Sequence, residues 1–156
     1  MYEIGTTIEI ITNILTGASI ITAAVWYIFD RIRGNRIATL EAYDRLQREV
    51  LDEINLWSVS EIREAMEDRQ SDAYKKLSAM LARIEHFCAG INTKIYDFDI
   101  FYSVAHGYFD YDNGNGMLYR RIIPIIERKS EESKEDYFAN IHKVWDKMEK
   151  KAKYMK

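Results

Sequence analysis

The stretch Ile10-Ile-Thr-Asn-Ile-Leu-Thr-Gly-Ala-Ser-Ile-Ile-Thr-Ala-Ala-Val-Trp-Tyr-Ile-Phe29 decides how this chain is read. Its twenty residues carry no charge, and fourteen of them are apolar. At a rise of about 1.5 Å per residue, a helix of that length spans roughly 30 Å, the thickness of a bilayer's hydrocarbon core. Glu3 and Glu9 precede it, whereas Arg31, Arg33 and Arg36 follow it, with Trp26, Tyr27 and Phe29 at that boundary. Basic residues stay on the cytoplasmic side of a membrane, and aromatic rings settle at its interface. The stretch therefore predicts a single-pass anchor at the inner membrane. A transmembrane helix over about residues 10–29 lies within an N-terminal segment 1–35, the N-terminus is outside, and residues 36–156 form a cytoplasmic domain. A cleaved signal peptide would have a basic start and a shorter apolar run. The rival is a buried core helix, because Thr12, Asn13, Thr16, Ser19 and Thr22 dilute the hydropathy. The absence of charge and the arginine cluster favour the bilayer.

Beyond residue 36 the chain is soluble in character: 30% of all residues are charged and the mean hydropathy is −0.34. The remaining length suits one small domain. A net charge of −3 and a pI near 5.7 argue against binding duplex nucleic acid, which needs a strong basic field. The lone Cys88 cannot form an intrachain disulfide, which suits a reducing compartment.

Outward from the anchor, apolar residues recur at helical spacing. Ile37, Leu40, Tyr43, Leu46, Val50, Ile54 and Trp57 share one face, and Gly34-Asn35 either bend the chain before it or let the anchor run straight into it. Ser58 and Glu61 have capping-box spacing for a short helix with Ile62 and Met66. Ala73, Leu77, Met80, Leu81, Ile84, Phe87, Cys88 and Ile91 form the clearest stripe. Asp97 or Asp99 caps a helix with Ile100, Phe101, Val104, Ala105 and Tyr108. The Gly-, Asn- and Asp-rich run 107–116 is the strongest break. Met117 to Lys129 reads as helix, with Pro124 kinking it or limiting its start. Ser133 is placed to cap a last helix bearing Tyr137, Phe138, Ile141, Val144, Trp145, Met148 and Ala152. No strand pattern or repeat is visible. The expected fold class is all-α, an N-terminal transmembrane helix followed by a small cytosolic helical bundle of five or six helices.

Three segments carry a family likeness: Arg36-Ile-Ala-Thr-Leu40, Leu81-Ala-Arg-Ile-Glu-His-Phe-Cys-Ala-Gly-Ile91 with Ile95-Tyr-Asp97, and Ile122-Ile-Pro-Ile-Ile-Glu-Arg128. Together they resemble a bacterial and phage family of single-pass, membrane-anchored helical proteins known only as a domain of unknown function. The resemblance implies a helical cytosolic domain and brings no catalytic residues with it.

Within the anchor, Thr6, Glu9, Asn13, Thr16, Ser19 and Ala23 are spaced so that they line one helical face of polar and small side chains. In lipid, small residues let helices approach closely, and Asn, Ser and Thr hydrogen-bond across the interface. Asn13, Thr16, Ser19 and Ala23 are thus candidates for helix association in a homo-oligomer, or for lining a narrow polar path. The competing reading is a lone anchor whose hydroxyls bond their own backbone.

Asp110-Tyr-Asp-Asn-Gly-Asn-Gly116 is not a calcium loop: the turn glycine falls at Asn115 and the closing glutamate at Arg121. His86, His106 and His142 lack metal-ligand spacing, and His86 beside Glu85 reads as a partly buried histidine at the edge of the apolar stripe. Cys88 falls within that stripe, where cysteines are inert. No catalytic set, metal site or cofactor motif emerges, so the chain is read as a non-enzyme. Arg83, Lys94, Tyr96, Tyr102, Tyr119, Arg120 and Arg121 combine cations with aromatic rings near interhelical turns, the chemistry of phosphate pairing and base stacking. They are the candidate ligand-binding residues, a nucleotide being one ligand they would suit; the competing reading, which eleven tyrosines make the readier one, is a solvated or core-edge role. Lys143, Lys147, Lys150, Lys151, Lys153 and Lys156 complement a helix C-terminus or touch anionic lipid. Two function classes follow: a membrane effector that senses a ligand and acts through associating anchors, as in anti-phage defence, or a passive tether for a protein partner.

Overall fold

The computed structural model describes residues 2–109, 122–133 and 138–154. Among them all regular structure is helical and no strand is present. α1 (Tyr2–Leu46) is followed by a π-helical turn (Gln47–Leu51), α2 (Asp52–Leu56), α3 (Val59–Glu67) and α4 (Asp72–Asn92). Then come α5 (Phe98–Phe109), α6 (Ile123–Ser133) and α7 (Ala139–Tyr154). Gly34 and Asn35 are helical residues inside α1. The chain divides into two units, Met1–Ile37 and Ala38–Lys156.

In the first unit the apolar stretch of α1, from Thr12 onward, is long and apolar enough to cross a membrane by length and composition, and none of its apolar window is buried. Ile20, Trp26 and Phe29 expose 65%, 72% and 67% of their surface.

The second unit is built around α4. Leu77, Met80, Leu81, Ile84, Phe87, Cys88 and Ile91 are all buried, as the periodicity predicts, while Ala73 at the start of the stripe is exposed. They meet Ile62 and Met66 of α3, Phe101 of α5, Ile126 of α6 and Ile141, Val144, Trp145 and Met148 of α7 in one core. Each such aliphatic side chain contributes roughly 1.5–3 kcal/mol by leaving water. The C-terminal part of α1 joins through Tyr43 and Leu46. The predicted face is turned here: Ile37 and Leu40 are 47% and 44% exposed, and Thr39 is fully buried instead. The reason is a hydrogen bond: Thr39 Oγ1 accepts from the Asp97 backbone N–H at 2.7 Å. The wider π turn then lets the neighbours Val50 and Leu51 both face the core.

Local capping follows the sequence reading at two helices, and Ser71 adds a third cap that was not anticipated. Ser58 Oγ accepts from Glu61 N at 3.2 Å, and Glu61 Oε2 accepts from Ser58 N at 2.6 Å, completing the capping box. The backbone and side-chain hydrogen bonds from Ser58 hold the Glu61 carboxyl below its ordinary value. Ser71 caps α4, and Asp97 Oδ1 caps α5 by accepting from Asp99 N and Ile100 N. Pro124 sits in the first turn of α6, where its missing N–H costs nothing, so it limits the start and does not kink the helix.

At the last helix the outcome differs from expectation. Ser133 ends α6, and α7 starts at Ala139. Its N-terminus is capped from across the core: Glu85 of α4 accepts from Asn140 N (3.0 Å), Asn140 Nδ2 (2.8 Å) and Ile141 N (2.9 Å). A carboxylate here satisfies orphan N–H groups and complements the positive end of the helix dipole. Asn92 extends the network by donating to Asn140 and accepting from Lys147 Nζ at 2.8 Å.

Candidate functional site

The second unit has a cleft of about 480 Å³ between α1 with its π turn and α4. It exists because small residues, Ala42 and Ala82, stand where α1 and α4 would otherwise fill the space. Leu46, Val50 and Phe87 give it an apolar base. Three basic side chains, Arg45, Arg83 and His86, border it with one carboxylate, Glu49. Arg83 Nη1 pairs with Glu49 Oε2 at 3.1 Å, and both side chains remain about half exposed. Arg45 makes no ion pair among the described residues. His86 is exposed on this rim, not partly buried as its position beside the stripe suggested, because the helical turn carries it away from Phe87 and Cys88.

Tyr96 closes one end. Its ring stacks on Phe87 with centroids 5.1 Å apart and planes 23° from parallel. The position is set by how α4 ends. Gly90 O accepts from both Ile95 N (2.9 Å) and Tyr96 N (3.1 Å), and Lys94 takes a left-handed conformation with φ of 62° to turn the chain back. That brings the Tyr96 ring onto Gly90, where an added Cβ would stand 2.5 Å from two ring carbons. Only glycine admits this contact.

Of the seven predicted ligand residues, Arg83 and Tyr96 thus meet in one cleft. Lys94 is exposed at the turn and is not part of the lining. Tyr102 lies elsewhere, against Phe98 and the Lys151 ammonium, which is 4.7 Å from the Tyr102 ring centre and also paired with Asp99. Tyr119, Arg120 and Arg121 lie outside the described residues, as does the Asp110–Gly116 loop. Arg45 and Glu49 were not singled out from sequence, and His86 was read there as a partly buried histidine and not as a ligand residue. Arg45, just before the π turn, and Glu49, four residues on within it, were visible there only as part of a charged helix face.

In the apolar stretch of α1, the hydroxyls of Thr16, Ser19 and Thr22 each donate to the carbonyl four residues back, at 2.9, 2.8 and 2.8 Å. Ser19 and Ala23 share a shallow groove with Ala18, Thr22 and Trp26, and Asn13 is exposed. The Thr6 side chain lies outside what is described. Among the C-terminal lysines, Lys147, Lys151 and Lys153 are engaged within the chain by Asn92, Asp99 and Glu149. Lys143 and Lys150 are exposed, and Lys156 lies outside the described residues. Cys88 is buried, and burial, with the nearby Glu85 charge, pushes its thiol far up, away from the reactive thiolate. Among the described residues no three His, Cys, Asp or Glu side chains converge as a metal site would require. Compared with protein-family models, with curated proteins and with solved structures, the chain matches none.

Proposed function

We propose that this chain is a single-pass membrane protein that senses a small anionic ligand, a nucleotide, in the cleft between α1 and α4 and acts through association of its membrane helices. The observation that carries the reading is the cleft itself. Arg45, Arg83 and His86 supply donors for a phosphate, and the fixed Tyr96 ring supplies a surface for a planar base, in a volume suited to a small molecule. In this reading α1 crosses the inner membrane with its arginine-flanked end in the cytoplasm, and the rest is a cytoplasmic helical bundle of five or six helices without enzymatic activity. The layout, one anchor and one small sensing domain, is that of membrane effectors in anti-phage defence, and it agrees with the family resemblance above.

A second reading has its own support. The back-bonded hydroxyls of Thr16, Ser19 and Thr22 have their protons occupied within the helix, as in a lone anchor, which favours a passive tether that holds a protein partner at the membrane. Expression of the full chain separates the two. Growth arrest that requires the anchor and is relieved by Arg83→Gln with Tyr96→Ala, together with a nucleotide-induced thermal shift of the protein in lipid nanodiscs, is the effector's result. No arrest and no shift with any nucleotide would leave the tether.

A further inference from the structure

We infer that the cleft takes a nucleoside phosphate bearing two negative charges, and that Glu49 occupies the phosphate position until the ligand displaces it. The inference rests on the ligand-sensing reading above and names the ligand class and the device that regulates its entry.

The charge count comes from the rim. Arg45 and Arg83 are permanent cations, and Glu49, the one carboxylate among the lining residues, stands four residues beyond Arg45 on the same wall and reaches Arg83 on the other. Among the lining residues, with Glu49 in place the two guanidinium charges exceed the carboxylate by one; with Glu49 turned away the excess is two, which matches a terminal phosphate ester. Glu49 is suited to leave. It engages Arg83 through a single nitrogen, Nη1, so the guanidinium fork keeps donors for a second anion. Both partners are about half exposed, where an ion pair is weak because water screens it. A phosphate brings more charge and accepts two parallel hydrogen bonds from the fork, so it outcompetes the carboxylate.

The ring end is fixed independently. Tyr96 is held by its stack on Phe87 and by Gly90 beneath it, so the aromatic surface is present before any ligand arrives. Glu49 belongs to the π turn, the irregular element of this region, and such turns gather at functional sites. Glu49 therefore acts as an in-chain competitor. It raises the ligand concentration needed for occupancy and selects against ligands with a single charge.

The test uses the full chain in lipid nanodiscs and a ladder of probes with one base and falling charge: adenosine monophosphate, cyclic adenosine monophosphate and adenosine, with inorganic phosphate alongside. Calorimetry should rank the monophosphate about tenfold above the cyclic form, with adenosine weakest. Glu49→Gln should tighten the monophosphate about fivefold, and Arg45→Gln, at an exposed position, should weaken it about tenfold. Tyr96→Leu should weaken the monophosphate and leave inorganic phosphate unchanged. If the monophosphate binds but Glu49→Gln leaves its affinity unchanged or lower, the competitor role is overturned and ligand sensing stands. If the cyclic form binds as tightly as the monophosphate, the two-charge requirement is overturned and ligand sensing again stands. If no probe binds either the native chain or the Glu49→Gln chain, the ligand-sensing reading itself is overturned.

Discussion

The apolar stretch of α1 and the core of the second unit are both helical and both rich in isoleucine, yet only the second unit adds bonds across the fold to hydroxyls that close on their own helix, as Thr93 does on Ala89. In the anchor, Thr16, Ser19 and Thr22 turn back onto carbonyls four residues away, and the large apolar side chains are exposed. In the second unit, polar groups reach across the fold: Thr39 to Asp97, Glu85 to Asn140 and Ile141, Asn92 to Asn140. In the membrane reading proposed above, the difference follows from the surroundings. A helix in hydrocarbon has no water to compensate a polar group, so it closes its own bonds or takes a partner's. A helix in a folded domain spends polar groups on fixing its neighbours. The second unit ties its helices to one another through such bonds, whereas the exposed apolar surface of the N-terminal helix is that of a candidate membrane span.

The contrast breaks most sharply at the core. Ile84 is fully buried on α4, so Ile84→Asp leaves a carboxylate without water or a partner, and a loss above about 4 kcal/mol should unfold the second unit. Cys88 reports this directly. Its buried thiol should resist alkylation in the native chain and react rapidly in the variant. Ile20→Asp, at an exposed anchor position, should leave Cys88 protected while reducing membrane insertion. Equal alkylation of both variants would mean that the two regions do not differ as described.

Next in size is the cap of α7. Glu85→Ala removes three charge-assisted hydrogen bonds and leaves two backbone N–H groups without their acceptor, so a loss of about 2–3 kcal/mol is expected in chemical denaturation. A loss below about 0.5 kcal/mol would show that α7 docks through Ile141, Val144, Trp145 and Met148 alone.

That cap also marks where sequence reading runs out. Periodicity identified the buried face of α4 because its signal is local, repeated every three or four residues. The Ser58–Glu61 box and the Asp97 cap were legible for the same reason. The cap of α7 was not, since its acceptor lies 55 positions away from Asn140, and Ser133 was the nearest local candidate. The turned face at Thr39 was missed because a hydroxyl in a core position makes sense only once the Asp97 N–H is beside it. The cleft was half legible. Arg83 and Tyr96 announced themselves by chemistry, while Ala42 and Ala82, which make the space, carry no signal beyond being small.

A smaller effect tests whether the second unit's stability and its cleft can be separated. Gly90→Ala gains about 1 kcal/mol of helix propensity but drives the Tyr96 ring from its stack on Phe87. The two terms oppose each other, so the thermal midpoint should move little while near-ultraviolet circular dichroism from the aromatic cluster changes. In a Tyr96→Ala background the clash is gone, and the same Gly90→Ala should then stabilise by about 1 kcal/mol. Equal effects of Gly90→Ala in both backgrounds would mean that Gly90 is not there for the ring.

The smallest effect per residue, and the one that bears most on mechanism, lies in the anchor. The back-bonded hydroxyls of Thr16 and Ser19 have given their protons to the helix but keep oxygen lone pairs, and the Asn13 carboxamide offers both donors and an acceptor. If anchors associate along this face, a neighbouring helix supplies the partner for Asn13, and Ser19 and Ala23 permit the close approach. Each such hydrogen bond contributes only about 0.6 kcal/mol in membrane helices, so single substitutions are too weak a test. Replacing Asn13, Thr16 and Ser19 together with Leu removes the bonds and widens the approach while making the segment more apolar. Insertion should hold or improve, crosslinked oligomers in membranes should decline, and anchor-dependent growth arrest should fall with them. The pairing of outcomes matters, because a variant that simply failed to insert would lose all three. Preserved crosslinking in a well-inserted triple variant would mean that the hydroxyls serve only their own backbone, and the passive tether would then be the better account of the chain.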